Sequence, residues 1–469
     1  TLTKVGEGTW QTKERTHGVR MGWFYSIDII EGWLPATIWA LVAIAMVVLL
    51  VAQRKSLKRA GLQIGIGLLS GALGLLATWL VSNVFVVFGV SLGWPVIFAV
   101  AAGFALLGFA ISAAVMTHTW RRVVAIVLIP LALLATTMRV NAIYGEYQTV
   151  GSLFDYSPYP HISTLNLSLN TISVKDWNEQ VKVKSRNTSN IPKSGKLVHV
   201  DIPNTASGFQ AREALVWLPP AAFAKHPPRL PVMVMLAGQP GSPTRFFTAS
   251  DTVKILAEFA NKHHGLAPIV VSPDQNTEAT RNSLCANTTK WGNAETYLTQ
   301  DVPDWITENL PVSTQADEWT IGGFSQGGTC STQLAPNHPN IYGNVLAVDG
   351  EIAPTDGSVD HMVKEYFNGS KSAYERQVPR NAIVNNAPSH QLMILGAGER
   401  DAESVSNIKK IGDTAEKNGW TVFRFTVKNW GHDWHAVNAV FKVALPYLCE
   451  RMGLGNANVD FPTDSKIRD

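Results

Sequence analysis

The chain has 469 residues, with 39 Lys and Arg against 36 Asp and Glu, for a net charge of +3 at neutral pH. That length suggests two or three domains, and so slight a charge gives no case for a nucleic-acid partner. There is no phosphate loop, no internal repeat and no Cys or His spacing suited to holding a metal.

Residues 1–32 read as a tail of mixed charge, in which Met21 is a candidate start. Four apolar stretches free of charge follow, at Trp33–Ala52, Leu62–Val87, Pro95–Met116 and Val123–Thr137. A bilayer needs about 20 such residues, so residues 33–138 are predicted to form a multi-pass membrane domain of four helices. Trp33, Trp39, Trp94 and Trp120 lie near the span ends, as an aromatic belt requires, whereas Trp79 sits deeper. The first loop carries Arg54, Lys55, Lys58 and Arg59, the third Arg121 and Arg122, and the second, around Ser91 to Trp94, no charge. Positive loops stay in the cytoplasm, so both ends of this domain, and all that follows Arg139, are expected outside. No signal peptide with a cleavage site is visible, and the first span is expected to serve as export signal. No span has an ionisable residue at depth, which favours an anchor over a transport path.

Residues 139–194 are polar and aperiodic and read as an extracytoplasmic linker. From 195 to 455 the pattern changes to short β-like runs: Lys196–Ile202, Ala214–Leu218, Val232–Leu236, Pro268–Ser272, Glu318–Ile321, Asn344–Val348, Gln391–Leu395 and Thr421–Val427. Amphipathic stretches such as Ser250–His263, Ala294–Glu308 and Val405–Asn418 alternate with them. This alternation predicts a mostly parallel sheet with helices on both faces. Its sites belong at the carboxyl ends of the strands. Residues 456–469 are a C-terminal tail.

One motif carries chemistry. Gly323-Phe324-Ser325-Gln326-Gly327 follows the apolar run Trp319-Thr320-Ile321 and leads through small residues into a helix. A G-x-S-x-G between strand and helix is the form of a nucleophile elbow, which puts Ser325 forward as nucleophile. Val232–Leu236 runs into Ala237-Gly238-Gln239-Pro240-Gly241, where a second oxyanion donor is expected. The backbone N–H groups of Gln239 and Gln326 are the candidate pair. A histidine on a loop past a late strand can serve Ser325 as base. Trp430-Gly431-His432-Asp433-Trp434-His435 offers His432 first and His435 as the alternative. The acid should fall between Ser and His in order, and Glu399-Arg400-Asp401 follows Gln391–Leu395. Asp401 is preferred, Glu399 is the alternative, and Asp349 after Asn344–Val348 is a third choice. Cys285 and Cys330 are the preferred disulfide, tying the loop before Trp291 to the nucleophile helix. Cys449 is left over.

The stretches Trp291-Gly292-Asn293-Ala294-Glu295-Thr296-Tyr297-Leu298 and Asp301-Val302-Pro303-Asp304-Trp305-Ile306, with Gly322–Gly328, His338-Pro339 and Gly431-His432-x-Trp434, resemble the esterase-D family and its mycolyltransferase branch. The likeness covers roughly 195–454. It implies an α/β-hydrolase fold and serine acyl chemistry with neither metal nor organic cofactor. The mycolyltransferase branch has an acidic residue before the oxyanion-loop glycine and an arginine shortly after it, both contacting sugar. Ala237 and Pro240 stand there instead, so ester hydrolysis is expected ahead of transfer to a sugar. The expected partners are a lipid or acylated envelope substrate and the membrane. Two rivals stand beside this reading, an acyltransferase using the same residues and a non-catalytic envelope-binding or sensor domain.

Overall fold

The computed structural model describes residues 22–52, 56–85, 87 and 91–455. The N-terminal tail through Met21, the basic residues Arg54 and Lys55, and the tail 456–469 lie outside the described residues. The chain forms two compact units, the first holding residues 22–85 and 94–158 and the second residues 159–455 together with 87 and 91–93.

The first unit holds helices α1 (Trp33–Ala52), α2 (Leu57–Trp79, prolonged by a π turn over Leu80–Val84), α3 (Gly93–Met116) and α4 (Trp120–Tyr144). All four are long and apolar enough to cross a membrane. The last runs to Tyr144 rather than stopping at Thr137, because helical hydrogen bonds continue through Arg139 and Asn141 until Gly145 turns left-handed at φ 68°. Leu41, Leu68, Leu69, Leu73, Val115 and Leu133 face outward and exposed, a surface suited to hydrocarbon. Inside, small residues set how closely helices approach. A Cβ on Gly71 would lie 2.9 Å from Ala105 Cβ, and one on Gly108 2.3 Å from Ser70 Oγ. Helices α2 and α3 therefore touch along a stripe that admits no larger side chain.

The second unit is built on eight strands: β1 (Lys196–Val200), β2 (Ala214–Leu218), β3 (Val232–Leu236), β4 (Ile269–Ser272), β5 (Trp319–Phe324), β6 (Asn344–Val348), β7 (Leu392–Gly398) and β8 (Thr421–Val427). Their order across the sheet is β1-β2-β4-β3-β5-β6-β7-β8. Strand β2 is antiparallel to both neighbours, and β4 through β8 pair in parallel. Strands β2 to β7 are buried along their whole length, which is why they read as unbroken apolar runs. β5 lies inside the sheet between β3 and β6, so three loops converge where it ends.

Two segments differ from the expectation. The stretch read as an irregular linker contains a helix at Val174–Lys182, capped by Ser173, whose hydroxyl accepts the Asp176 N–H. Trp177 on that helix is fully buried and donates its indole N–H to the His264 carbonyl at 3.3 Å. The helix expected over Ala294–Glu308 is widened by a π turn over Tyr297–Asp301, next to Pro303, which has no N–H to give.

Candidate active site

Strand β5 ends at Phe324 and helix α5 (Gln326–Asn337) begins one residue later, leaving Ser325 alone in the turn at φ 54°, ψ −117°. A left-handed backbone at a residue other than glycine stores strain and persists only where the surroundings enforce it. Here the Ser325 N–H donates to the Val348 carbonyl at 2.9 Å, fixing the turn to the end of β6. The flanking residues have no room to be larger. A Cβ on Gly323 or Gly327 would fall 2.3 Å from the Leu236 carbonyl oxygen, and one on Gly328 2.8 Å from that of Val348. The side chain of Ser325 is the one partly exposed group in a run of buried residues.

The histidine arrives on the loop after β8. His432 Nδ1 lies 2.8 Å from Asp401 Oδ2, and its ring packs 4.9 Å from that of Phe324, the neighbour of Ser325. Asp401 is itself held in place as the N-cap of α6 (Ala402–Lys417), accepting the Ser404 N–H at 3.1 Å and its hydroxyl at 2.6 Å. Of the two carboxylates two residues apart, Asp401 thus meets the imidazole. Glu399 is exposed and accepts the Asn429 N–H at 3.3 Å. His435 lies inside α7 (Trp434–Arg451) and stacks on Trp430 at 4.6 Å. Ser325 Oγ holds no hydrogen bond among the described residues. A catalytic Ser–His bond is often loose without substrate and tightens only in the complex.

Burial disfavours the charged imidazole of His432, but its bond to Asp401 and the charges of Asp349, Asp401 and Glu351 outweigh that and raise its pKa. For Asp401 burial acts upward, and the bonds from His432 and Ser404 overcome it to hold the carboxyl below its usual range. The pair is therefore arranged to stabilise a protonated imidazole beside an ionised carboxylate.

The candidate oxyanion donors converge from two loops. Gln326 opens α5, so its N–H has no acceptor within the helix and points out with the positive end of the dipole. Gly238, before Gln239, sits so near the turn that a Cβ on it would be 3.4 Å from Ser325 Cβ. This loop is braced along its length. Gln275 Nε2 donates to the Ala237 carbonyl at 2.7 Å, Gln239 Nε2 to that of Thr280 at 3.1 Å, and the Gly241 N–H to that of Ala279 at 3.0 Å. Arg212 donates to the Gly241 carbonyl at 3.1 Å while forking onto the buried Asp274 at 2.9 and 2.8 Å.

No motif in the sequence points to the side-chain clamp on Gln326. Its amide oxygen accepts from Asn276 Nδ2 at 2.7 Å, and its Nε2 donates to the side-chain oxygens of Asn276 and Asn282 at 3.1 and 2.7 Å. The same segment carries Cys285, which is disulfide-bonded to Cys330 of α5 with 5.6 Å between Cα atoms. Cys449 is a buried free thiol. Asp349 and Glu351 also lie near His432.

A 29% identical relative over 343 residues, an uncharacterized protein of Corynebacterium glutamicum, is matched across 71% of this chain and 77% of its own length. Among solved structures, an S-formylglutathione hydrolase from Agrobacterium tumefaciens is 17% identical at TM-score 0.45, covering 56% of this chain and 98% of that one. MPT51 of Mycobacterium tuberculosis is 16% identical at TM-score 0.38, covering 51% and 94%. The family model described as "Putative esterase" matches residues 210–447. That span takes in the elbow, the oxyanion loop, Asp401 and His432, and with half of its residues matched the chain belongs to this esterase family.

Proposed function

We propose that the protein is a membrane-anchored serine esterase with its catalytic domain outside the cytoplasm, cleaving acyl or aminoacyl esters of envelope lipids or glycans. The observation that carries this is the Asp401–His432 pair packed on Phe324 beside the strained Ser325. His432 takes the Ser325 proton at Nε2, while Asp401, bonded to Nδ1, fixes the tautomer and stabilises the imidazolium. The freed oxygen attacks the ester carbonyl, and the oxyanion is held by the N–H groups of Gln239 and Gln326. His432 returns its proton to the departing alcohol, leaving an acyl-enzyme. Water, deprotonated by the same histidine, then attacks the acyl carbonyl, and His432 returns that proton to Ser325 Oγ as the acid leaves.

Hydrolysis is favoured over transfer to a sugar by Ala237 and Pro240, whose side chains offer no hydrogen bond to a hydroxyl. The outward placement rests on the charges. Lys58 and Arg59 begin α2 and Arg121 and Arg122 begin α4, on connections that share one side of four consecutive spans.

Labelling of intact cells with a membrane-impermeant fluorophosphonate, comparing wild type with Ser325→Ala, tests both claims. Labelling that disappears in the variant is expected. Labelling confined to lysed cells would reverse the topology, and absence of labelling in folded protein would favour the binding-domain alternative.

A further inference from the structure

Asp349 follows β6 directly, one residue beyond the Val348 carbonyl that holds the Ser325 amide. Its backbone is left-handed at φ 49°, and its side chain is fully buried. Oδ1 accepts the Gly398 N–H at 2.9 Å, while Oδ2 has no hydrogen-bond partner among the described residues. An ionised carboxylate buried with one oxygen unpaired is unfavourable. Burial, with the charges of Asp401 and Asp433 adding to it, pushes this carboxyl up to about 8 against the pull of His432 and the Gly398 bond. Its location sets it apart from an ordinary buried acid. An oxygen of Asp349, an oxygen of Asp401 and a ring nitrogen of His432 all lie within 4.8 Å of one another. Two carboxyls from the ends of adjacent strands thus flank one imidazole, and one of them is hydrogen-bonded to it.

We propose that Asp349 is a second positioning acid for His432, a carboxyl that takes up support of the imidazole when Asp401 cannot give it. This rests on the serine-enzyme reading above. While His432 is neutral, burial above all, and the charge of Asp401 after it, keep the proton on Asp349, and Asp401 holds the histidine. Without the Asp401 charge one of the influences opposing its ionisation is gone, and as pH rises Asp349 gives up its proton and faces the imidazolium as a carboxylate. The charged groups around this exchange are Asp401 at the start of α6, His432 and Asp433 ahead of α7, and Glu351 two residues beyond Asp349. Glu351, raised to about 7 chiefly by burial, faces the same imidazole.

The test is the rate of fluorophosphonate labelling of the full-length protein in detergent, followed across pH for wild type, Asp401→Asn, Asp349→Asn and the double variant. Asp401→Asn should label about 10- to 100-fold more slowly at neutral pH, short of the roughly 10⁴-fold loss seen where a triad histidine has no acid. Its rate should recover as pH rises, with a midpoint above that of wild type. Asp349→Asn should slow less and move its midpoint downward. The double variant should show the full loss at every pH. Asp401→Asn as slow as the double variant, or with a midpoint below that of wild type, overturns the proposal. The pH profile of Asp401→Asn decides the matter on its own if the double variant does not fold, and a cooperative thermal transition shows that each variant read is folded. Persistent labelling of Ser325→Ala would instead overturn the serine reading, so the two failures are distinguishable.

Discussion

At the scale of single residues, the site is a set of opposed electrostatic demands, and pH separates them. His432 must be neutral to accept the Ser325 proton, and its pKa is raised by Asp401 and the neighbouring carboxyls. Labelling of Ser325 in the wild type should therefore fall with acid about a midpoint above the ordinary histidine value of about 6.5. A midpoint at or below that value would mean the carboxyls do not act on the ring. Asp349 leads to the opposite kind of result. An acid whose folded pKa lies above its unfolded value binds a proton in the native state that the unfolded chain has already lost. Stability then declines as pH rises from about 3.9 toward the folded value of about 8. Asp349→Asn retains an acceptor for the Gly398 N–H and removes that decline, so its melting temperature should gain on wild type between acid and mildly alkaline pH. A gap that stays constant with pH would show that Asp349 is ionised throughout. Ser325 and His432 were legible because each sits in a short string whose neighbours are constrained by the same turn. The acid was less so: Glu399 and Asp401 are two residues apart, and only the end of β7 at Gly398 and the helix start at Ala402 decide which one turns inward. The clamp of Asn276 and Asn282 on Gln326 left no trace, because polar residues in a loop do not disclose which distant amide they will meet.

At the scale of elements, two connections hold the machinery against the sheet. The first is the contact of the elbow with β3. Gly327→Ala would drive a methyl to 2.3 Å from the Leu236 carbonyl, a backbone atom that cannot swing aside. Overpacking of this kind costs about 1–3 kcal/mol or more, and the Gln326 N–H would move with the helix start. Labelling should fall by at least about 100-fold, the penalty of a displacement near 1 Å, even in protein that still melts cooperatively. Wild-type labelling would mean the turn has slack. The second connection is the Cys285–Cys330 disulfide, which closes a loop with a sequence separation of 45. Chain entropy puts its contribution at about 4 kcal/mol. Replacing both cysteines with serine should lower the melting temperature accordingly and also slow labelling, because the released segment carries the partners of Gln326. Lower stability with unchanged labelling would show that the clamp holds without the bond. Strand positions were readable because buried parallel strands are unbroken apolar runs. The helix at Val174–Lys182 was not, since one buried Trp177 among polar residues makes too narrow an apolar face, and its register is fixed by tertiary contact with the His264 carbonyl.

At the scale of the whole molecule, composition divides sharply between the units. The four helices of the first expose leucine and valine to their surroundings, while the second buries its apolar runs within one sheet and its flanking helices. Anchoring a hydrolase at a membrane surface raises its effective concentration on esters held there, without any new contact at the site. That gain exists only for a substrate that is itself membrane-bound, since a diffusing ester would gain nothing from the anchor. A vesicle assay makes the distinction. With full-length protein reconstituted beside an ester lipid, turnover should follow the surface density of that lipid at fixed bulk concentration, whereas hydrolysis of a short water-soluble ester should not. Equal dependence on bulk concentration for both would reduce the helices to a tether with no part in substrate supply. Orientation is tested in cells. In the proposed topology, with the basic residues at the starts of α2 and α4 on the cytoplasmic side, protease added outside intact cells should remove the domain that begins at Tyr159 and spare the four spans. Moving that charge, with Arg121 and Arg122 replaced by glutamine and two lysines placed in the uncharged loop near Ser91, should make part of the population protected from the protease. Protection already present in the wild type would reverse the topology and leave the chemistry of Ser325 intact.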